Sequence, residues 1–126
     1  MGSNLENSDL EGRRILVVED EVLLAMELEA LYRKQGFHVI GPVSSVADAL
    51  GRIDREGPDI ASLDVNLRGM SSAPVAIRLR ERGIPFVLLT GYGERIMQDP
   101  AFRGAVMLRK PYAMRDLIAA LRSALE

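Results

Sequence analysis

The sequence predicts a doubly wound α/β sandwich, in which one parallel five-stranded sheet carries helices on both faces. Short apolar runs recur along the chain, at Ile15-Leu16-Val17-Val18, Ile60-Ala61-Ser62-Leu63, Phe86-Val87-Leu88-Leu89 and Val106-Met107-Leu108. Near-continuous hydrophobic runs of this length are what strands buried on both faces require. The segments between them carry apolar residues at helical spacing, which is the βαβ alternation. A third observation concerns what stands after each run. Glu19-Asp20 follows the first, Asp64 the second and Thr90 the third, and Lys110-Pro111 follows the fourth after one arginine. In an open parallel sheet, ligands bind in the crevice beyond the carboxyl ends of the strands. The four stations therefore converge on one pocket holding three carboxylates, a hydroxyl and an ammonium.

Each element has its own signal. The first strand is expected over 14–18, and the helix after it over 21–35, with Leu24, Leu28 and Leu31 at helical spacing and Gly36 as its stop. The second strand covers 37–40 and ends at Gly41-Pro42. Ser45, with Asp48 three residues later, caps a helix that runs to about Arg55, and Gly57-Pro58 breaks it. The third strand leads to Asp64, and 65–72 is a loop. Ala73 or Pro74 opens the next helix, because proline is tolerated in a first turn, and Gly83 closes it before the fourth strand. After Thr90, Gly91-Tyr92-Gly93 makes a turn, 94–98 gives barely more than one helical turn, and Pro100 interrupts any continuation. Beyond the short fifth strand, Met114, Leu117, Ile118, Leu121 and Leu125 form an amphipathic helix. Five strands thus alternate with five helices.

Composition bounds the function. At 126 residues, with 48% hydrophobic and 27% charged residues, the chain has the length and make-up of one globular domain. Residues 1–10 are expected to be a flexible tail and 11–126 the folded domain, with no output domain attached. The absence of cysteine excludes disulfides and thiolate metal sites. No apolar stretch approaches the ~20 residues of a membrane span, and no signal peptide is visible, so a cytoplasmic protein is expected. A net charge of −2 with arginines scattered among carboxylates gives no electrostatic footprint for nucleic acid.

The pocket points to a metal. Three carboxylates at adjacent strand ends repel one another unless a cation sits between them, and a hard divalent ion such as Mg²⁺ suits oxygen ligands of this kind. An aspartate after a strand is common in turns, so no one of these residues carries the argument alone. The set in this order resembles the receiver domain of bacterial two-component response regulators, over roughly Arg13 to Leu125.

The resemblance implies a flavodoxin-like (βα)5 fold with strand order 2-1-3-4-5, which also fits right-handed crossovers. It implies that Asp64 is the phosphoacceptor, taking a phosphoryl group from a histidine kinase or phosphotransfer protein. Glu19, Asp20, Asp64 and the backbone carbonyl of Asn66 would bind Mg²⁺, Lys110 would meet a phosphoryl oxygen, and a cis bond would precede Pro111. Thr90 would donate its hydroxyl to the phosphate and move the following loop as a switch. A domain of this kind catalyses its own phosphorylation and dephosphorylation but is a signalling protein rather than an enzyme. It would act by docking, with a downstream regulator as a further partner, as a monomer or a homodimer. The docking face implied is the fourth helix, fifth strand and fifth helix, including Tyr112 and Arg115.

The chain also departs from the family. Three residues before the lysine, where most receivers carry a switching aromatic, stands Met107, which can repack freely. Thr90-Gly91-Tyr92 is similar to stand-alone receivers with a Phe-Ala-Thr-Gly-aromatic motif, with Leu88-Leu89 in place of Phe-Ala. Tyr92 is therefore expected to take over part of the switching role, flanked by Gly91 and Gly93. The loop Asp64-Val65-Asn66-Leu67-Arg68-Gly69 lacks the proline frequent there, and Glu19 stands where aspartate is more usual. His38 is expected to be an ordinary strand residue. The competing readings are a degenerate receiver that binds without phosphorylation, a flavin-binding protein and an aspartate-nucleophile phosphatase. Glu19-Asp20 has the wrong charge for a flavin phosphate cradle, and the chain is short for a phosphatase with a cap domain.

Overall fold

The computed structural model describes residues 10–91 and 98–126. The main sheet is parallel and contains β1 (Arg14–Val18), β2 (His38–Val43), β3 (Ile60–Asp64), β6 (Phe86–Thr90) and β7 (Val106–Arg109), in spatial order β2-β1-β3-β6-β7. Counting only these five strands, that is the 2-1-3-4-5 order expected. Helices α1 (Val22–Lys34) and α4 (Met114–Leu125) cover one face, and α2 (Val46–Glu56) and α3 (Ala73–Glu81) the other.

Two cores follow from strand alternation. Leu16, Val18, Ala61, Leu63, Phe86 and Leu88 pack toward α2 and α3, where Ile53, Val75, Ala76 and Leu79 meet them. Ile15, Val17, Ile60, Val87 and Leu89 pack toward α1 and α4, against Leu28, Tyr32, Leu117, Ile118 and Leu121. Because the three inner strands β1, β3 and β6 bury both faces, they read as nearly unbroken hydrophobic runs. Tyr32 adds an edge-on contact to Phe37, with ring centroids 5.6 Å apart.

The helix boundaries match their signals closely. Asp48 N–H donates to Ser45 Oγ at 3.1 Å, and Gly57 closes α2 in the left-handed region at φ 52°. Along α1 the buried face is Ala25, Leu28 and Tyr32, so Leu24 and Leu31 flank the core rather than centre it.

Three features differ from expectation. β2 does not stop at Gly41-Pro42 but continues to Val43, with a register shift against β1 between Leu16 and Val18. As an edge strand it tolerates a proline and an irregularity, and Gly41 takes φ +94° where an added Cβ would lie 2.8 Å from Val43 N. The loop after Asp64 contains a small antiparallel hairpin, β4 (Asn66–Leu67) with β5 (Met70–Ser71). Among the described residues there are four α-helices rather than five, with a 3₁₀ turn at Pro100–Phe102. Most of the segment expected as the fourth helix lies outside them. No helix of the described residues is long and apolar enough to cross a membrane.

Candidate functional site

Glu19, Asp20, Asp64, Thr90 and Lys110 stand at or just beyond the ends of strands of the main sheet, and the ladder fixes the backbone there. Glu19 N–H donates to Val43 O at 2.9 Å, so the unexpected extension of β2 anchors Glu19. Val65 N–H donates to Leu89 O at 3.1 Å, and Lys110 N–H to Thr90 O at 2.7 Å, with the Lys110–Pro111 bond cis. The strand ends thereby bring Glu19, Asp20 and Asp64 together, with one carboxylate oxygen from each within 4.8 Å of the others.

The pocket floor is buried. Glu19, Asp64 and Thr90 are 2%, 5% and 1% exposed, and Asp20 sits half-buried at the rim. Lys110 reaches in from the far strand, its Nζ lying 3.3 Å from Glu19 Oε1, 3.1 Å from Asp64 Oδ2 and 3.1 Å from Glu21 Oε2. Burial lowers the lysine's proton affinity, but bonds from Asp64 and Glu21 and the charges of Asp64 and Glu19 outweigh it and raise its pKa. Lys110 is therefore a fixed ammonium. Glu19 shifts the other way in charge: burial, then the neighbouring Asp64, raises its carboxyl from 4.5 to about 8, against the opposing Glu21 N–H and Lys110. One lysine among these acids leaves a surplus of negative charge, which is the condition for cation binding. The donors are hard oxygens, so Mg²⁺ fits and soft thiophilic metals do not.

The post-acceptor hairpin closes over this floor. Asn66 N–H donates to Asp64 Oδ1 at 3.2 Å, Gly69 N–H to Asn66 Oδ1 at 2.8 Å and Arg68 N–H to Asp20 Oδ2 at 2.8 Å. Met107, paired with Leu88 across β6 and β7, is half-buried against the α2/α3 core. Tyr92 lies outside the described residues. His38 is an exposed residue of β2, as expected.

Sequence reasoning missed Glu21 and Arg68. Glu21 directly follows the two acids, yet only the fold shows that it faces Lys110, 89 positions away. It also missed an apolar face on α1. Val22, Leu23 and Met26 are 71%, 76% and 60% exposed. Beside them a groove of about 400 Å³ is lined by Glu21, Leu23, Glu27, Lys110, Tyr112 and Met114, among others. A helical-wheel reading could have found that face, since these residues lie off the buried stripe.

Residues 15–122 match the family model described as response regulator receiver domain. RegX3 of Mycobacterium tuberculosis, a sensory transduction protein, is 40% identical over 114 residues, covering 88% of this chain and 50% of that protein. The chain spans about half the length of the curated relatives it matches. Among solved structures, SdrG of Sphingomonas melonis superposes with a TM-score of 0.75 at 43% identity, covering 92% of this chain and 97% of that one. The signal receiver domain of a modulated diguanylate cyclase from Desulfovibrio desulfuricans reaches 0.81 at 26% identity, covering 91% and 94%.

Proposed function

The chain belongs to the response regulator receiver domain family, and on that premise we propose that it is a phosphoacceptor switch, taking a phosphoryl group onto Asp64 from a histidine kinase or phosphotransfer protein. The observation that carries this reading is the grouping of Asp64 with Glu19, Asp20 and a lysine ammonium 3.1 Å from the acceptor oxygen. Bound at Glu19, Asp20 and Asp64, Mg²⁺ would offset the charge of the transferred phosphoryl oxygens, much of what such a transfer requires. Asp64 presents its carboxylate as nucleophile, forming the Asp64 oxygen–phosphorus bond as the donor's phosphorus–nitrogen bond breaks. Lys110 is already within bonding distance of that carboxylate and moves onto a phosphoryl oxygen without leaving the pocket. Thr90, buried at the end of β6, supplies a hydroxyl and joins the site to the loop after it.

The partner's approach is suggested by the groove against α1. It shares Lys110 and its partner Glu21 with the acidic pocket, so a protein filling it lies beside Asp64. The exposed Val22, Leu23 and Met26 give that protein an apolar surface to cover. In this reading a phosphohistidine donor docks at α1 and covers Tyr112, so a downstream regulator using the face that includes Tyr112 and Arg115 would compete with it.

Intact mass after incubation with acetyl phosphate tests the acceptor. The wild type is expected to gain one phosphoryl group only when Mg²⁺ is present, and Asp64→Asn none. An adduct that forms without Mg²⁺, or that survives in Asp64→Asn, overturns the assignment.

A further inference from the structure

We propose that Arg68 is an additional phosphoryl-binding residue, supplying a second cation at the mouth of the pocket opposite Lys110; this rests on the phosphoacceptor reading above. Four observations converge on it. Arg68 occupies the turn of the hairpin after the acceptor, and its N–H donates to Asp20 Oδ2 at 2.8 Å, which sets its backbone against the acidic cluster. It is the only non-glycine residue at positive φ among the described residues, at φ 54°. L-residues other than glycine, asparagine and aspartate avoid that region, and strain of this kind collects where function requires a particular side chain. Gly69 follows at φ 82°, so both central residues of the two-residue turn are left-handed, and asparagine or glycine would occupy position 68 with less strain than arginine. Finally, Arg68 is exposed, and among the described residues no carboxylate pairs with its side chain, in contrast to Arg33, Arg52, Arg78 and Arg82.

A planar guanidinium beside a phosphorylation site fits a phosphoryl group with two parallel N–H donors. Lys110 reaches Asp64 from the β7 side, whereas the Arg68 backbone meets Asp20 beyond the end of β1, so a guanidinium turned toward the pocket would bracket the nucleophile with the lysine. In the transfer, Asp64 forms the new oxygen–phosphorus bond while the donor's bond to phosphorus breaks. The electron pair leaves with the donor, as acetate from acetyl phosphate or as the imidazole nitrogen of a phosphohistidine. Arg68 takes no part in the bond changes and no proton moves to or from it. It holds the phosphoryl oxygens as charge redistributes.

The test compares rate constants for acetyl phosphate phosphorylation at saturating Mg²⁺ in the wild type, Arg68→Gly and Arg68→Lys, followed by intact mass. Glycine keeps the N–H bonded to Asp20 and suits the positive φ, so the fold and Mg²⁺ affinity should persist. Loss of the guanidinium is expected to slow transfer about tenfold, the worth of one charged hydrogen bond to phosphate, and lysine should restore part of the rate. The wild-type rate should also fall more steeply with salt than that of Arg68→Gly. Equal rates in the wild type and Arg68→Gly overturn the proposal. So does an equal loss in both variants accompanied by weaker Mg²⁺ binding, which would assign Arg68 to loop geometry. If the wild type accepts no phosphoryl group at all, the phosphoacceptor reading fails instead.

Discussion

Raising the pH should destabilise the metal-free protein, and Glu19 should account for the loss. Its carboxyl is held at about 8 rather than the ordinary 4.5, first by burial at the end of β1 and then by the adjoining Asp64. The folded state thus keeps a proton that the unfolded chain has already released. With more protons bound folded than unfolded, stability declines as pH rises. The contribution is whole below about 4.5 and gone once the pH passes about 8. At about 1.4 kcal/mol per unit the upper limit is about 5 kcal/mol, and because Asp64 and Lys110 share the field around that proton, on the order of 2–5 kcal/mol is expected. The other shifted groups leave this window clear. Asp54, lowered by Arg78, changes its contribution only as pH falls through the acid range, and Lys110, raised, only above the ordinary lysine range. The assay is urea unfolding in EDTA from about pH 5 to about pH 8.5, for wild type and Glu19→Gln. The wild type should lose stability across the range, and the glutamine variant should be nearly flat. Saturating Mg²⁺ should cancel most of the decline, since metal binding to ionised Glu19 strengthens as the proton leaves. A metal-free wild type whose stability is flat or rises, or a glutamine variant that keeps the slope, would refute the reasoning.

Two further outcomes follow from particular contacts. Gly41→Ala places a Cβ 2.8 Å from Val43 N and 3.1 Å from Val17 O at φ +94°, so it should cost at least about 2 kcal/mol in urea unfolding. It should also weaken Mg²⁺ binding, because Val43 O holds the Glu19 backbone. Leu23→Asp, at a residue 76% exposed, should leave stability within about 0.5 kcal/mol. It should slow phosphoryl transfer from a protein donor while leaving acetyl phosphate rates unchanged, as measured by intact mass.

The parts of the fold legible in the sequence are those that a single residue type or spacing dictates. Val17-Val18 before Glu19 and Leu88-Leu89 before Thr90 announced strand ends, because only buried strands read as unbroken apolar runs. Ser45 and Gly57 announced both ends of α2 through capping and φ. What stayed hidden depends on tertiary placement. The continuation of β2 past Gly41-Pro42 is decided by its edge position, which a local signal for termination cannot express. The hairpin at 66–71 is held by Asp20 and Asn66 accepting backbone N–H groups, and its Arg68-Gly69 turn is not a common hairpin pair. Glu21 had no sequence signature at all, because its role is a pairing with Lys110 across the sheet. For the chemistry, the order of Glu19-Asp20, Asp64, Thr90 and Lys110 was enough to place them in one crevice. The surplus negative charge that follows needed distances.

The sheet and the loops divide the work of the site. Glu19, Asp20, Asp64, Thr90 and Lys110 each stand on, or one position from, a bond that ties the backbone to a neighbouring strand, as Glu19 N–H to Val43 O, Val65 N–H to Leu89 O and Lys110 N–H to Thr90 O do. Such positions cannot move far without breaking the parallel ladder, so the acidic floor keeps its geometry in either state. Among the described residues near the pocket, the element that leaves the sheet is the hairpin whose Arg68 N–H rests on Asp20. Met107 is half-buried against the α2/α3 core, where an unbranched side chain can change rotamer without vacating the volume an aromatic ring would have to cross. A phosphoryl group at Asp64 would therefore act on the hairpin at 66–71 through a rigid platform. Substitutions in the sheet should change stability first, whereas those in the rim should change the lifetime and recognition of the phosphorylated state while stability holds.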